Sequence, residues 1–130
     1  MDAGYNIVSD LVRNPSGRTA QRLALVGEDA VCISIIAAAE LRFGVAKRGS
    51  QRLATQMDRV LATMNIMSFE APADAVYGLV RTRLELAGTP ISANDLFIAA
   101  HALTLHVTLV THNTGEFRRM PGLVVEDWLE

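Results

Sequence analysis

The sequence predicts a single α/β domain, a three-layer α/β/α sandwich around a central parallel sheet. Three observations carry that expectation. Short apolar, β-branched runs alternate with longer stretches of helical periodicity along the chain. Strands separated by helices in this way run parallel, because each return needs a crossover, and the helices then cover both faces of the sheet. The 130 residues, half of them hydrophobic, can bury one core, and no linker, internal repeat or low-complexity segment marks a second. Residues 1–130 are therefore expected to form one domain.

The elements follow in order. Gly4 to Leu11 reads as the end of a buried strand running into a helix. Asn6 to Arg13 fits a helix, stopped by the turn cluster Asn14, Pro15, Ser16, Gly17. Arg18 to Val26 is a second helix, closed by Gly27 at a left-handed C-cap. Ala30 to Ser34 reads as a buried strand, and Ser34 caps a helix through IIAAAELRFGVAKR that ends near Gly49. An amphipathic helix spans Gln51 to Thr63, with Leu53, Met57, Val60, Leu61 and Met64 at helical spacing. IMSF is a short strand. Pro72 opens a helix that runs to Gly88 with Val76, Leu79, Val80 and Leu84 on one face. Ser92 starts a helix through ANDLFIAAHALTLH, VTLVT is the clearest strand, and LVVED is the last.

Composition narrows the function. The net charge of −2 excludes wholesale coating of nucleic acid, which needs many phosphate-neutralising cations, but it permits a local basic rim. The positive charge is arginine except for Lys47, and arginine is the better fork for phosphate or carboxylate. The longest apolar run, Val31 to Ala39, is too short to span a bilayer, and the N-terminus lacks a leader pattern, so a cytoplasmic protein is expected. Cys32 has no partner for a disulfide and reads as a buried, inert thiol. His101 and His106 read as structural, and Met57, Met64 and Met67 as core fillers.

Three acids stand in unusual places. Glu40 is isolated in IIAAAELRFGVA, one turn from Ile36 and close to the buried stripe; taken alone it also reads as rimming that stripe and pairing with Arg42 or another arginine. Asp95 lies in SAND at a helix start, where Ser92-x-x-Asp95 also approximates a capping box. After VTLVT come Thr111, Asn113 and Glu116, oxygen-bearing side chains at the carboxyl end of a strand, where sites form in parallel sheets; Asn113 could equally cap a short helix. If Glu40, Asp95 and Glu116 converge, each pair repels by roughly 3 kcal/mol at ~5 Å and an effective dielectric near ~20. Such a cluster needs a cation or raised pKa values. Oxygen-only ligands favour Mg²⁺ or Mn²⁺ over zinc, and a carboxylate-held ion of that kind suits phosphodiester hydrolysis.

Four blocks in fixed order, NIVSDLVR, CISIIAAAELRFGVAK, GTPISANDLFIAAHAL and LVTHNTGEFRRMPGLVVEDW, give the chain a clear resemblance to PIN-domain proteins of the VapC type, toxins of bacterial type II toxin–antitoxin pairs. The resemblance covers essentially the whole chain. It implies a Mg²⁺- or Mn²⁺-dependent ribonuclease that cuts RNA, a VapB-type antitoxin in its cleft, and a homodimer. Carried over by position, Glu40, Asp95 and Glu116 are the catalytic acids, with Asn113 beside them as a metal-site residue. Asn6 and Thr111 are expected RNA contacts; Arg42, Arg118 and Arg119, read from their place near the acids, are expected to hold RNA phosphates, and could as well be antitoxin contacts or solvent-facing charges. His112 stands beside the site as a loop histidine, and Glu126, Asp127 and Trp128 form a structural C-terminal pattern.

One departure stands out. Family members open with a hydrophobic strand ending in Asp-Thr-Asn; here the aligned residues are Gly4, Tyr5 and Asn6. The first acid is missing, and Asp2 replaces it only if the strand slides by two residues. Two readings of different class follow: a nuclease impaired at its first acidic position, and a catalytically silent relative that acts through antitoxin binding and dimerisation. A phospho-accepting receiver domain fits poorly, since it needs an acidic pair after the first strand and a lysine late in the chain.

Overall fold

The computed structural model describes residues 1–129, leaving aside the side chains of Tyr5, Asn6 and Glu28. The chain folds into five short strands, β1 (Asp2–Ala3), β2 (Cys32–Ser34), β3 (Asn65–Met67), β4 (Leu109–Val110) and β5 (Val125–Glu126). Between them run α1 (Tyr5–Arg13), α2 (Arg18–Val26), α3 (Ile35–Arg48), α4 (Gln51–Ala62), α5 (Ala73–Leu86), α6 (Ala93–Leu105) and α7 (Thr114–Phe117). Every strand pairing is parallel, in the order β3-β2-β1-β4-β5. The expected parallel α/β architecture is therefore present. The order reverses direction at β1, so the crevice at the carboxyl ends of β1 and β4 is the topological switch point where such sheets bind ligands.

The strands are shorter than their sequence signals. Regular pairing in the VTLVT segment is confined to Leu109–Val110, and bonds from Asp2 N to Thr108 O and from Thr111 N to Glu126 O carry the contact one residue further each way. Side chains that touch both helical layers hold this small sheet. Ile33 and Leu109 are fully buried, each contributing about 1.5–3 kcal/mol by leaving water. Ile7, Val8 and Val110 join them.

Helix boundaries agree closely with the residues that set them. Ser34 caps α3 by accepting from Ile36 N at 3.1 Å, and Gly49 ends the helix in a left-handed conformation at φ +67°. The Ser34 hydroxyl also lies 2.8 Å from Nδ1 of the buried His101, which ties the start of α3 to α6 and fits a neutral imidazole, since burial lowers the His101 pKa. The expected face of α5 needs correction. Leu79 is 65% exposed, and the buried row runs through Ala73, Tyr77, Val80 and Leu84, with Tyr77 stacked on Phe97 at 4.3 Å. In α4, Met57 and Leu61 are buried as the spacing requires.

The chain's end packs on α2. Trp128 is buried, its indole lies 5.9 Å from the Arg22 guanidinium, and Arg18 Nη1 donates to Leu129 O at 3.0 Å. Among the described residues no helix is long and apolar enough to cross a membrane.

Candidate active site

Strand β1 sets the first position. Its register is fixed by pairing of Asp2 with Cys32 and Leu109 and of Ala3 with Val110, and Gly4 N donates to Val110 O at 2.8 Å. Gly4 therefore stands where β1 enters the crevice, and it offers no side chain there. Asp2 does not substitute for it. Two residues earlier on the same face of the strand, Asp2 is 1% exposed, its Oδ1 accepts from Ser34 N at 3.1 Å, and its Oδ2 has no hydrogen-bond partner. Burial pushes its pKa up to about 7, against the smaller lowering effects of the Ser34 amide and the chain's terminal ammonium. A strand slid by two residues is ruled out by this register. The Asn6 side chain, an expected RNA contact, lies outside the described residues.

Asp95 sits in the first turn of α6 and Glu116 in the first turn of α7. The capping box expected of Ser92 and Asp95 is not formed, since Ser92 at the N-cap makes no side-chain cap bond. Asp95 faces Glu116 instead. Burial raises the Asp95 pKa to about 7, reinforced by hydrogen bonding to Glu116, by that carboxylate's charge and by the charge of Glu40, while the Ser92 hydroxyl opposes the rise. Glu116 moves the other way, lowered first by its bond with Asp95 and then by the Ser92 amide, the Arg119 charge and Asn113. The two carboxyls titrate together, so these shifts belong to the pair rather than to either residue alone.

Asn113 and Thr111 build the loop that presents Glu116. Thr111 ends the ladder beside β4 and is 2% exposed; its hydroxyl accepts from Asn113 N at 3.0 Å. It positions the loop, a part different from the RNA contact expected of it. Asn113 stands at the N-cap of α7 without capping it, and its Nδ2 donates to Asp95 Oδ2 at 3.2 Å. Arg119 Nη1 reaches Pro90 O at 3.3 Å, and Arg118 is exposed.

Glu40 comes from α3. The small residues Ala37 and Ala38 of α3 and Ala99, Ala100 and Ala102 of α6 are all buried and let the two packed helices approach closely. Glu40 is half-buried, one carboxylate oxygen is buried without a hydrogen-bond partner, and burial raises its pKa. Its expected partner Arg42 binds Asp58 instead, at 2.8 Å on the exposed side of α3 and α4. Asp95 and Glu116 thus meet directly, and Glu40 stands within reach of Asp95 by charge rather than by contact. Among the described residues no three His, Cys, Asp or Glu side chains are grouped closely enough to hold a metal ion.

These donors fit a hard divalent ion bound mainly through two carboxylates, the mode in which Mg²⁺ keeps several of its waters. The repulsion between two facing carboxylates is what a cation relieves, and the orphaned Glu40 oxygen is a further acceptor. Sequence reasoning missed the pairing of His112 Nδ1 with Asp127 Oδ2 at 3.0 Å, in which the carboxylate is 3% exposed. It depends on β5 lying next to β4, which local sequence does not reveal.

The PIN domain pattern matches residues 6–123. Ribonuclease VapC2 of Rickettsia felis is 40% identical over 105 residues, covering 80% of this chain and 78% of the relative. The tRNA(fMet)-specific endonuclease VapC of Shigella flexneri is 30% identical over 124 residues, covering 95% and 93%. In the crystal structure of VapBC2 from Rickettsia felis bound to a DNA fragment from their promoter, a chain matches with a TM-score of 0.89 and 36% identity, covering 98% of this chain and 97% of that one. Acids gathered at the switch point of a parallel sheet, and relatives aligned along nearly the full length, lead to one assignment: the chain belongs to the PIN-domain family, in its VapC group.

Proposed function

We propose that this protein is the toxin of a toxin–antitoxin pair, a divalent-metal-dependent endoribonuclease whose cleavage is weakened by glycine at position 4. The observation that carries the reading is the carboxyl pair Asp95 and Glu116 in the first turns of α6 and α7 at the crevice, with Asn113 bonded to Asp95. Asp95 and Glu116 would hold the ion, flanked by Glu40 and Asn113. A bound ion of this kind supplies an activated water and offsets charge developing on the phosphate and leaving oxygen. The chain's own residues do the rest: Asn113 orients Asp95, Thr111 fixes the loop, and Arg42, Arg118 and Arg119 meet RNA phosphates. The names of the relatives support RNA as the substrate, transfer RNA in one case, and a VapB-type antitoxin is the partner by analogy with the complexes. A homodimer completes the reading.

Gly4 favours a second reading, a silent protein that acts by binding antitoxin. One experiment separates them. Gly4→Asp with Tyr5→Thr is expected to raise Mg²⁺-dependent cleavage of a tRNA pool by about 100-fold, in the range that one electrostatic group contributes to catalysis. Equal cleavage before and after the change shows the first acidic position to be dispensable. No cleavage by either protein supports the silent reading.

A further inference from the structure

A cavity of about 150 Å³ opens between α1, α3 and α4. Its buried lining is apolar, formed by Val12, Leu41 and Met57, while Arg13 and Arg48 at its margin are exposed and have no ion-pair partner among the described residues. Glu40, one of the three candidate acids, forms part of its wall. We propose that it is a subsite for one nucleobase of the RNA, with the adjoining phosphates on Arg13 and Arg48. The inference rests on the ribonuclease reading above.

Size and charge together select the occupant. The volume is about half the ~300 Å³ at which sites for drug-sized molecules begin, so it takes one flat ring system or one side chain. An apolar side chain satisfies the floor but leaves two guanidinium groups without anions. A nucleotide brings both parts, a ring that packs on apolar walls and phosphates that pair with arginine. A base held here would fix the register of the strand and so determine which phosphate meets the acids.

Gly44 lines the same cavity, and a Cβ added there meets nothing within 4 Å. Gly44→Leu therefore adds bulk at the cavity's rim, and its Cβ meets no neighbour. The test is binding of short single-stranded RNAs in EDTA, each intact or carrying one abasic site, by fluorescence anisotropy. Wild-type protein should lose about 10-fold in affinity when one particular position is abasic. Gly44→Leu should bind intact RNA about 10-fold more weakly and no longer sense that abasic site. Arg13→Ala with Arg48→Ala should reduce the slope of log affinity against log salt by about 1.4, the value for two phosphates on a single strand.

If wild-type protein binds RNA but neither abasic sites nor Gly44→Leu change the affinity, the subsite is refuted and the nuclease reading stands. If Gly44→Leu abolishes antitoxin binding and leaves RNA binding intact, the cavity is a peptide groove and the proposal is overturned. Base discrimination without metal-dependent cleavage, even after Gly4→Asp with Tyr5→Thr, supports the subsite and overturns the nuclease reading alone. Absence of RNA binding overturns both.

Discussion

Burial, and the Glu116 carboxylate facing it, push the Asp95 pKa up, because two carboxylates placed together away from water cannot both ionise cheaply. A divalent ion relieves the same repulsion, so Mg²⁺ should raise the melting temperature of the wild-type protein, and Asp95→Asn should abolish that rise in differential scanning calorimetry. Asp2 offers a second test. Its folded pKa of about 7 lies above its ordinary 3.8, so between about pH 4 and pH 7 the folded chain keeps a proton that the unfolded chain releases. Stability therefore falls as pH rises through that window, by about 4 kcal/mol for a shift of this size. Asp2→Asn should flatten the dependence in urea unfolding at pH 5 and pH 8. The acids at 40, 95 and 116 could be singled out in the sequence because each sits in apolar company or at an element's end. The burial of Asp2 could not, since it follows from neighbours 30 and 107 positions away that pair with it.

The helices were legible because capping and periodicity are local. Ser34, Gly49 and the apolar row of α4 mark their own positions. The strands were less so, because two or three residues carry too little pattern, and their ends are fixed by pairing partners distant in sequence. Leu79 shows the same limit in a helix: several apolar residues in α5 could have formed the buried face, and the stacking of Tyr77 on Phe97 decides which does. Ser34 serves two elements, capping α3 and bonding His101 of α6. Ser34→Ala should therefore cost about 1–3 kcal/mol in chemical denaturation, more than a cap alone. Because α3 carries Glu40, the same change should weaken any metal-induced stabilisation.

Alternation of strand and helix signals announces a parallel sheet, but strand order is another matter. Nothing local states that β4 pairs with β1 rather than β3, and that choice creates the crevice where the acids meet. The surface likewise had to be seen. Helix α4 (Gln51–Ala62) buries Met57 and Leu61, whereas α5 (Ala73–Leu86) presents Leu79 at 65% and Leu86 at 85% exposure. If the protein pairs through α5, Leu79→Asp with Leu86→Asp should convert a species of twice 14.1 kDa into a monomer in light scattering, with little change in folding stability, since neither side chain belongs to the core.

The attachment of the C-terminal segment to α2 has a practical use. The sequence contains one tryptophan, and that indole is the ring beneath Arg22. Its emission is thus a built-in optical gauge for a single joint of the molecule: detachment of the tail shifts the spectrum to the red, even under conditions in which circular dichroism still registers intact helices.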